Sequence, residues 1–278
     1  MIKFYNGHKI PRLGLGTFLM TDEKETKETI LNAIKVGYRH FDTAQMYHNE
    51  EVIGEALMES GLNRDEFYIT TKLMFHHNYE NTKKYINESL VKLNTDYIDL
   101  LLIHWPNHDF DINLNTWRVF EEFYKDGKVK AIGVSNFTRY QLEDLINRAE
   151  IKPMVNQVEF HPALSQIQMF NYLNKHNIKL MGYGPLMRGN MNEEPYKEVL
   201  DGIAKNHNVH RAEILIAWGL HKGAIMIPKT VTYERLISNF NTQNIKLTDE
   251  EIEKIDKLNT GRRFYSDPAN NVYGKFNK

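Results

Sequence analysis

Short apolar runs alternate with amphipathic stretches along almost the whole chain. Eight runs read as strands, at residues 13–16, 38–42, 67–72, 97–104, 129–135, 154–160, 178–183 and 224–227. Several are continuously apolar rather than alternating, as strands covered on both faces are. The stretches between them carry helical spacing: Leu142, Leu145, Ile146 and Ala149 stand at i, i+3, i+4 and i+7. Helix punctuation is also legible. Asn49 is placed to cap a helix ending at Gly61, with Ile53 and Leu57 on one face, and Thr138 with Gln141, Ser165 with Gln168 and Thr248 with Glu251 have capping-box spacing.

Strands buried on both faces and each followed by a helix imply a parallel sheet, and eight such units imply closure into a (β/α)8 TIM barrel, an open doubly wound sheet being the structural rival. Ahead of the first unit, Asn6-Gly7 lies between two short apolar segments and predicts an N-terminal β-hairpin over residues 2–12 with a two-residue type I′ turn. No linker or low-complexity tract divides the chain, so residues 1–278 are expected to form one domain, with 261–278 as a loop over one end of the barrel.

Composition narrows the chemistry. With no cysteine there is no disulfide scaffold, thiolate zinc site or cysteine nucleophile. A formal net charge of -1 gives no bulk field toward nucleic acid or an anionic membrane. The N-terminus lacks a secretory pattern and no apolar run approaches the ~20 residues of a membrane helix, which points to the cytoplasm.

Gly14-Leu15-Gly16 has no third glycine where a dinucleotide fingerprint needs one, so a tight turn is the expectation there and at Gly182 and Gly184. His104, His108, Asp109 and Asp111 have donor types suited to a metal, but Pro106 prevents a helix from aligning the histidines, and no metal is expected. His76-His77, His207 and His210 read as solvated loop and helix-end residues.

More informative is a set of polar residues at the ends of successive strands, where barrel enzymes hold their active sites. Asp42 ends the second strand, Lys72 the third and His104 the fourth, with Tyr47 just after Asp42. A lysine closing an apolar strand calls for an anionic partner, and Asp42 is the natural one. The combination suits proton donation to a carbonyl oxygen. An ammonium beside a phenol favours loss of its proton, Asp42 orients the ammonium, and His104 steers the carbonyl. Protonation is half of a reduction, and no side chain donates hydride, so a redox cofactor is implied.

With these residues in place, the sequence resembles the aldo-keto reductase family, in the manner of its bacterial members. Residues 37–44, followed by Tyr47, Asn49-Glu50 and Ile53-Gly54, match its first motif; residues 133–137 match the middle one; and Ile227-Pro228-Lys229-Thr230, with Arg235 and Asn239, match the last. The resemblance implies NADPH (NADP+) as cofactor and Asp42, Tyr47, Lys72 and His104 as the catalytic tetrad. It further implies that Ser135, Asn136 and Gln157 bind the nicotinamide amide and that Tyr183 stacks on its ring. Pro185 and Leu186 then belong to the cofactor site, as do Lys229, Thr230, Val231, Arg235 and Asn239, with Lys229, Thr230 and Arg235 on the 2′-phosphate. Phe18 and Trp105, with Tyr47 and His104, resemble the substrate pocket. Ser238 replaces a common glutamate, Phe18 a common tryptophan, and Gly182 and Gly184 flank Tyr183 in place of alanine and serine, which bears on cofactor affinity and pocket shape. The tail, with Phe264, Tyr265, Tyr273 and Phe276, resembles a lid.

The expected activity is reduction of small aldehydes, ketones or keto-sugars by a chain that is monomeric, as the resemblance implies. A rival of another class is a cofactor-binding regulatory subunit on the same barrel. A carboxylate-based barrel hydrolase is a third reading, for which no acid pair stands out.

Overall fold

The structure is a computed structural model that describes residues 1–74 and 78–270. The hairpin strands β1 (Ile2–Lys3) and β2 (Lys9–Ile10) pair antiparallel. Eight parallel strands follow in spatial order: β3 (Leu15–Gly16), β4 (His40–Asp42), β5 (Tyr68–Leu73), β6 (Leu100–Ile103), β7 (Ile132–Ser135), β8 (Val155–Glu159), β9 (Lys179–Tyr183) and β10 (Ile225–Met226). The ring closes where Leu13 bridges Met226 and the Gly14 and Gly16 amides donate to Met226 and Pro228 carbonyls at 2.9 and 3.1 Å. All eight expected strands are present, and the sheet is a (β/α)8 barrel rather than an open one.

The helices are α1 (Glu23–Val36), α2 (Glu50–Glu59), α3 (Tyr79–Lys92), α4 (Phe110–Lys125), α5 (Arg139–Arg148) and α6 (Ile167–Lys175), each after one strand. Between β9 and β10 come α7 (Tyr196–His207) and α8 (Arg211–His221), and after β10 come α9 (Tyr233–Asn241) and α10 (Asp249–Asp256). The strand period of two sorts the core: on β6, Leu100 and Leu102 point into the barrel, while Leu101 and Ile103 pack under the helices with Trp117, Leu142 and Leu215. Phe4 and Ile10 of the hairpin join the interior cluster with Tyr68, Val155 and Met181. The hairpin therefore plugs the N-terminal mouth and leaves the C-terminal mouth free.

Several local expectations are corrected. Only Gly7 takes positive φ (90°); its amide donates to Phe4 O at 3.0 Å, and the Asn6 side chain accepts from His8 N at 3.0 Å. The hairpin loop is thus a three-residue turn with a left-handed glycine, not a two-residue type I′ turn. Gly14 and Gly16 do not make a turn either. A Cβ at Gly14 would lie 2.4 Å from His40 Nδ1 and one at Gly16 2.8 Å from Ile227 O, so close packing at the barrel seam requires glycine. Gly182 lies within β9 against Phe160, whereas Gly184 does turn, with φ of 65°.

The boxes at Thr138–Gln141 and Thr248–Glu251 form. Ser165–Gln168 does not: α6 begins at Ile167, behind a left-handed Gln166 whose side-chain Nε2 donates to Glu159 O at 3.1 Å. Asn49 stands at the start of α2 but spends its side chain elsewhere, donating to Thr17 O and Met20 O and accepting from Thr43 Oγ1. His207 ends α7 and meets Glu251 at 2.9 Å, and His210 caps α8. Asp109 caps α4 and Asp111 pairs with Arg148. His76-His77, Tyr273 and Phe276 lie outside the described residues. Among the described residues no helix is long and apolar enough to cross a membrane, and no three His, Asp or Glu side chains cluster as a metal site would require.

Candidate active site

Alternation along the strands decides which polar side chains reach the C-terminal mouth. On β5, Tyr68, Thr70 and Lys72 share the inner face; on β4, His40 and Asp42 do; on β8, Val155, Gln157 and Glu159. Lys72 is fully buried and donates to Asp42 Oδ1 at 2.6 Å and to Thr43 O at 2.7 Å. Its third contact is the Tyr47 hydroxyl at 3.4 Å. Tyr47 sits on the one-turn 3-10 helix Gln45–Tyr47, which the Asn49 bonds brace against the loop after β3. His104, buried just past β6, brings Nε2 to 3.5 Å from the same hydroxyl. The four expected catalytic residues therefore meet at one point.

Burial raises the Asp42 carboxyl and lowers the Lys72 ammonium, and each shift is opposed by the other's charge across the 2.6 Å contact. Burial also takes the His104 imidazole well below its ordinary value, helped by Lys72, so the ring is neutral at physiological pH. The Tyr47 hydroxyl is pushed up, first by burial and then by Asp42 and Tyr265. Burial thus outweighs the lowering expected from Lys72.

Around these four runs a network of hydrogen bonds among the residues expected to meet the nicotinamide. Gln157 donates to Asp42 Oδ2 at 2.8 Å, Ser135 Oγ to Gln157 O at 3.0 Å, Asn136 to His104 O at 3.0 Å, and the Tyr183 hydroxyl to Asn136 Oδ1 at 2.9 Å. These residues line a cavity of about 700 Å³ with Pro185, Leu186, Phe18 and Trp105. The Phe18 ring lies 5.1 Å from that of Tyr47. Leu19, Met46, Arg188, Phe264 and Tyr265 also line it.

A second cavity, of about 1010 Å³, shares Leu186 and Lys229 with the first and runs to the start of α9, where Thr230, Arg235, Ser238 and Asn239 line it. Val231, half-buried against the core, lies outside both linings. Lys229 and Arg235 are exposed and have no carboxylate partner among the described residues.

Several contributors, Met46 among them, were not singled out from sequence. Thr43 supplies a carbonyl to Lys72, Arg188 lays its guanidinium 4.4 Å from the Tyr265 ring centroid, Leu19 lines the wall at φ of 62°, and Glu159 binds the tail. Only Thr43, inside the first motif, carried a signal that sequence reading had in hand.

Residues 12–260 match the family model described as the aldo/keto reductase family. A glyoxal reductase of Bacillus subtilis is 43% identical over 268 residues, covering 96% of this chain and 95% of its own. The methylglyoxal reductase DkgA of Escherichia coli O157:H7 is 38% identical over 268 residues, covering 96% of each chain. Among solved structures, a mutant of Gox0644 in complex with NADPH superposes with a TM-score of 0.90 at 35% identity, over 97% of both chains.

Proposed function

The chain belongs to the aldo/keto reductase family, and on that premise we propose that it reduces a small aldehyde or ketone with NADPH as hydride source and Tyr47 as proton donor. One observation carries this reading. A fully buried lysine, matched by Asp42, makes its remaining contact with a phenol that opens onto a cavity and also faces a neutral histidine.

The donor set fits the cofactor. The two cavities adjoin at Leu186 and Lys229: Asp42, Tyr47, His104, Ser135, Asn136, Gln157 and Tyr183 line one, and two unmatched cations beside the first turn of α9 line the other. Lys229, Thr230 and Arg235 would hold the 2′-phosphate, which a helix N-terminus also favours. Asn136, Ser135 and Gln157 would orient the nicotinamide amide, with Tyr183 against its ring. When bound, NADPH supplies the hydride that the chain lacks.

The remaining work falls to side chains. His104 Nε2, neutral, donates a hydrogen bond to the carbonyl oxygen and aims it at Tyr47. Tyr47 stays protonated at neutral pH because burial raises it, and so it is available as an acid. The oxygen it serves becomes alkoxide-like, a much stronger base than an ordinary phenolate. The phenol can therefore give up its proton to that oxygen, and the nearby Lys72 ammonium stabilises the tyrosinate left behind.

Phe18, Leu19, Met46 and Trp105 give the catalytic end apolar walls suited to a compact substrate, and the glyoxal and methylglyoxal reductases among the relatives point to short aldehydes and dicarbonyls. A carbonyl panel that includes methylglyoxal, followed by loss of NADPH absorbance, tests the reading. Turnover of short aldehydes supports it; binding of NADPH without turnover of any carbonyl would instead favour a regulatory subunit.

A further inference from the structure

Resting on that reading, we propose that Glu159 is a positioning residue of the reductase site: it anchors the C-terminal segment through the Phe264 amide and thereby sets the wall that Tyr265 gives the catalytic cavity. The argument begins with the strand. Gln157 and Glu159 stand two apart on the inner face of β8, so one strand sends one side chain to Asp42 and the next to the tail. The Glu159 side chain has no exposed surface. Burying a carboxyl costs several kcal/mol unless it is well bonded, so its partners indicate what holds it there.

Those partners are local and distant. His161 Nε2 lies 2.9 Å from Oε1. The Phe264 amide, 105 residues along the chain, donates to the same oxygen at 2.6 Å, and Arg263 Nη1 lies 3.7 Å from Oε2. The His161 ring packs 5.1 Å from that of Phe264. Before this point the tail is held by Thr260 and Arg262 amides donating to Ala163 O at 3.2 and 3.1 Å. The bond to Glu159 is the one next to the residue that enters the cavity.

Tyr265 follows at once. Its ring meets Tyr183 edge-on at 5.3 Å and lies so close to Gly184 that a Cβ there would be 2.5 Å from it. The Arg188 guanidinium lies over the ring at 4.4 Å. A ring wedged between the nicotinamide-side tyrosine and the cavity shapes the space left for a substrate. Releasing residues 263–264 removes its support without touching the tetrad.

The test uses the full chain and five proteins: the parent, Glu159→Met, Glu159→Gln, Tyr265→Ala, and Glu159→Met combined with Tyr265→Ala. Methionine keeps roughly the volume and removes both acceptors; glutamine retains an acceptor for the Phe264 amide. With NADPH saturating and methylglyoxal varied, Glu159→Met should raise KM about tenfold, the lower end for losing a bond to a charged group, with kcat within about threefold. Glu159→Gln should fall between it and the parent. In the Tyr265→Ala background, Glu159→Met should add less than about twofold, because the effect runs through Tyr265. Limited trypsin digestion should show faster cleavage at Arg262 and Arg263 in Glu159→Met than in the parent, a readout independent of turnover.

Equal effects of Glu159→Met in both backgrounds would overturn the proposal, as would a fall in kcat without a rise in KM, or an unchanged rate of tail cleavage. If Glu159→Met does not fold, the same comparison with Glu159→Gln decides. A parent that cleaves as expected but reduces no carbonyl would sink the reductase reading while leaving the tether standing.

Discussion

Each mouth of the barrel holds a buried carboxylate facing a cation, and the two pairs do different work. At the N-terminal mouth, Asp99 accepts from Arg64 Nη2 at 2.7 Å and from Ile69 N at 3.0 Å. Arg64 spends its other donors on Thr95, Phe67 O and Tyr97 O. At the C-terminal mouth, Asp42 is bound by Lys72 and Gln157, but Lys72 keeps a contact for the Tyr47 hydroxyl, which opens onto a cavity. A buried ion pair becomes a structural rivet when its bonds close on surrounding protein groups. It becomes a candidate catalytic device when one is left facing a space that a substrate can enter.

The contrast is broken most severely at Tyr47. Tyr47→Phe keeps the ring and removes the acid, so kcat/KM for carbonyl reduction should fall about 10²–10⁴-fold while Tm and NADPH affinity stay near parental. Steady-state kinetics with a melting curve check it. The N-terminal pair should show the mirror image. Asp99→Asn should cost about 3 kcal/mol of stability, the low end for breaking a buried pair because Arg64 is partly exposed, and leave kcat within about twofold. Denaturant melts and the same assay measure both.

In the second cavity, Arg235→Ala should weaken NADPH binding by about 1.5–3 kcal/mol and NADH binding hardly at all. Dissociation constants for both cofactors decide this, and equal losses would remove Arg235 from a phosphate site. A smaller effect concerns His40, on the inner face of β4 below Asp42, whose ring burial, aided by Lys72, lowers to a pKa of about 3. The unfolded chain binds a proton at this histidine from about pH 6.5 downward while the folded one does not, so stability is intact above 6.5 and declines as pH falls. The loss should be about 2 kcal/mol by pH 5. Denaturant melts at pH 7 and 5 should show it, with a flatter response in His40→Asn.

The barrel was legible because its strands are covered on both faces: residues 100–103 are Leu-Leu-Leu-Ile, and no open sheet edge or solvent face interrupts the pattern. The tetrad was legible because strand ends can be counted along a chain. Side chains whose partners lie far away in sequence were not. Asn49 reads as a cap until Thr17 and Met20 come within reach, and Gln166 displaces the expected start of α6 because Glu159 O takes its side-chain amide. Glu159 itself is silent without a tail folded back from 105 residues on. The turn at Asn6-Gly7 went astray for a local reason, since the Asn6 side chain binds His8 N and leaves positive φ to Gly7 alone.

The central claim is that Asp42 and Lys72 act on Tyr47 as one unit, unlike the pair at the opposite mouth. A double-mutant cycle on kcat/KM with Asp42→Asn, Lys72→Met and the combination measures this directly. The account predicts that the double variant is scarcely worse than the more damaged single one. Losses that simply add would show two independent residues and contradict it.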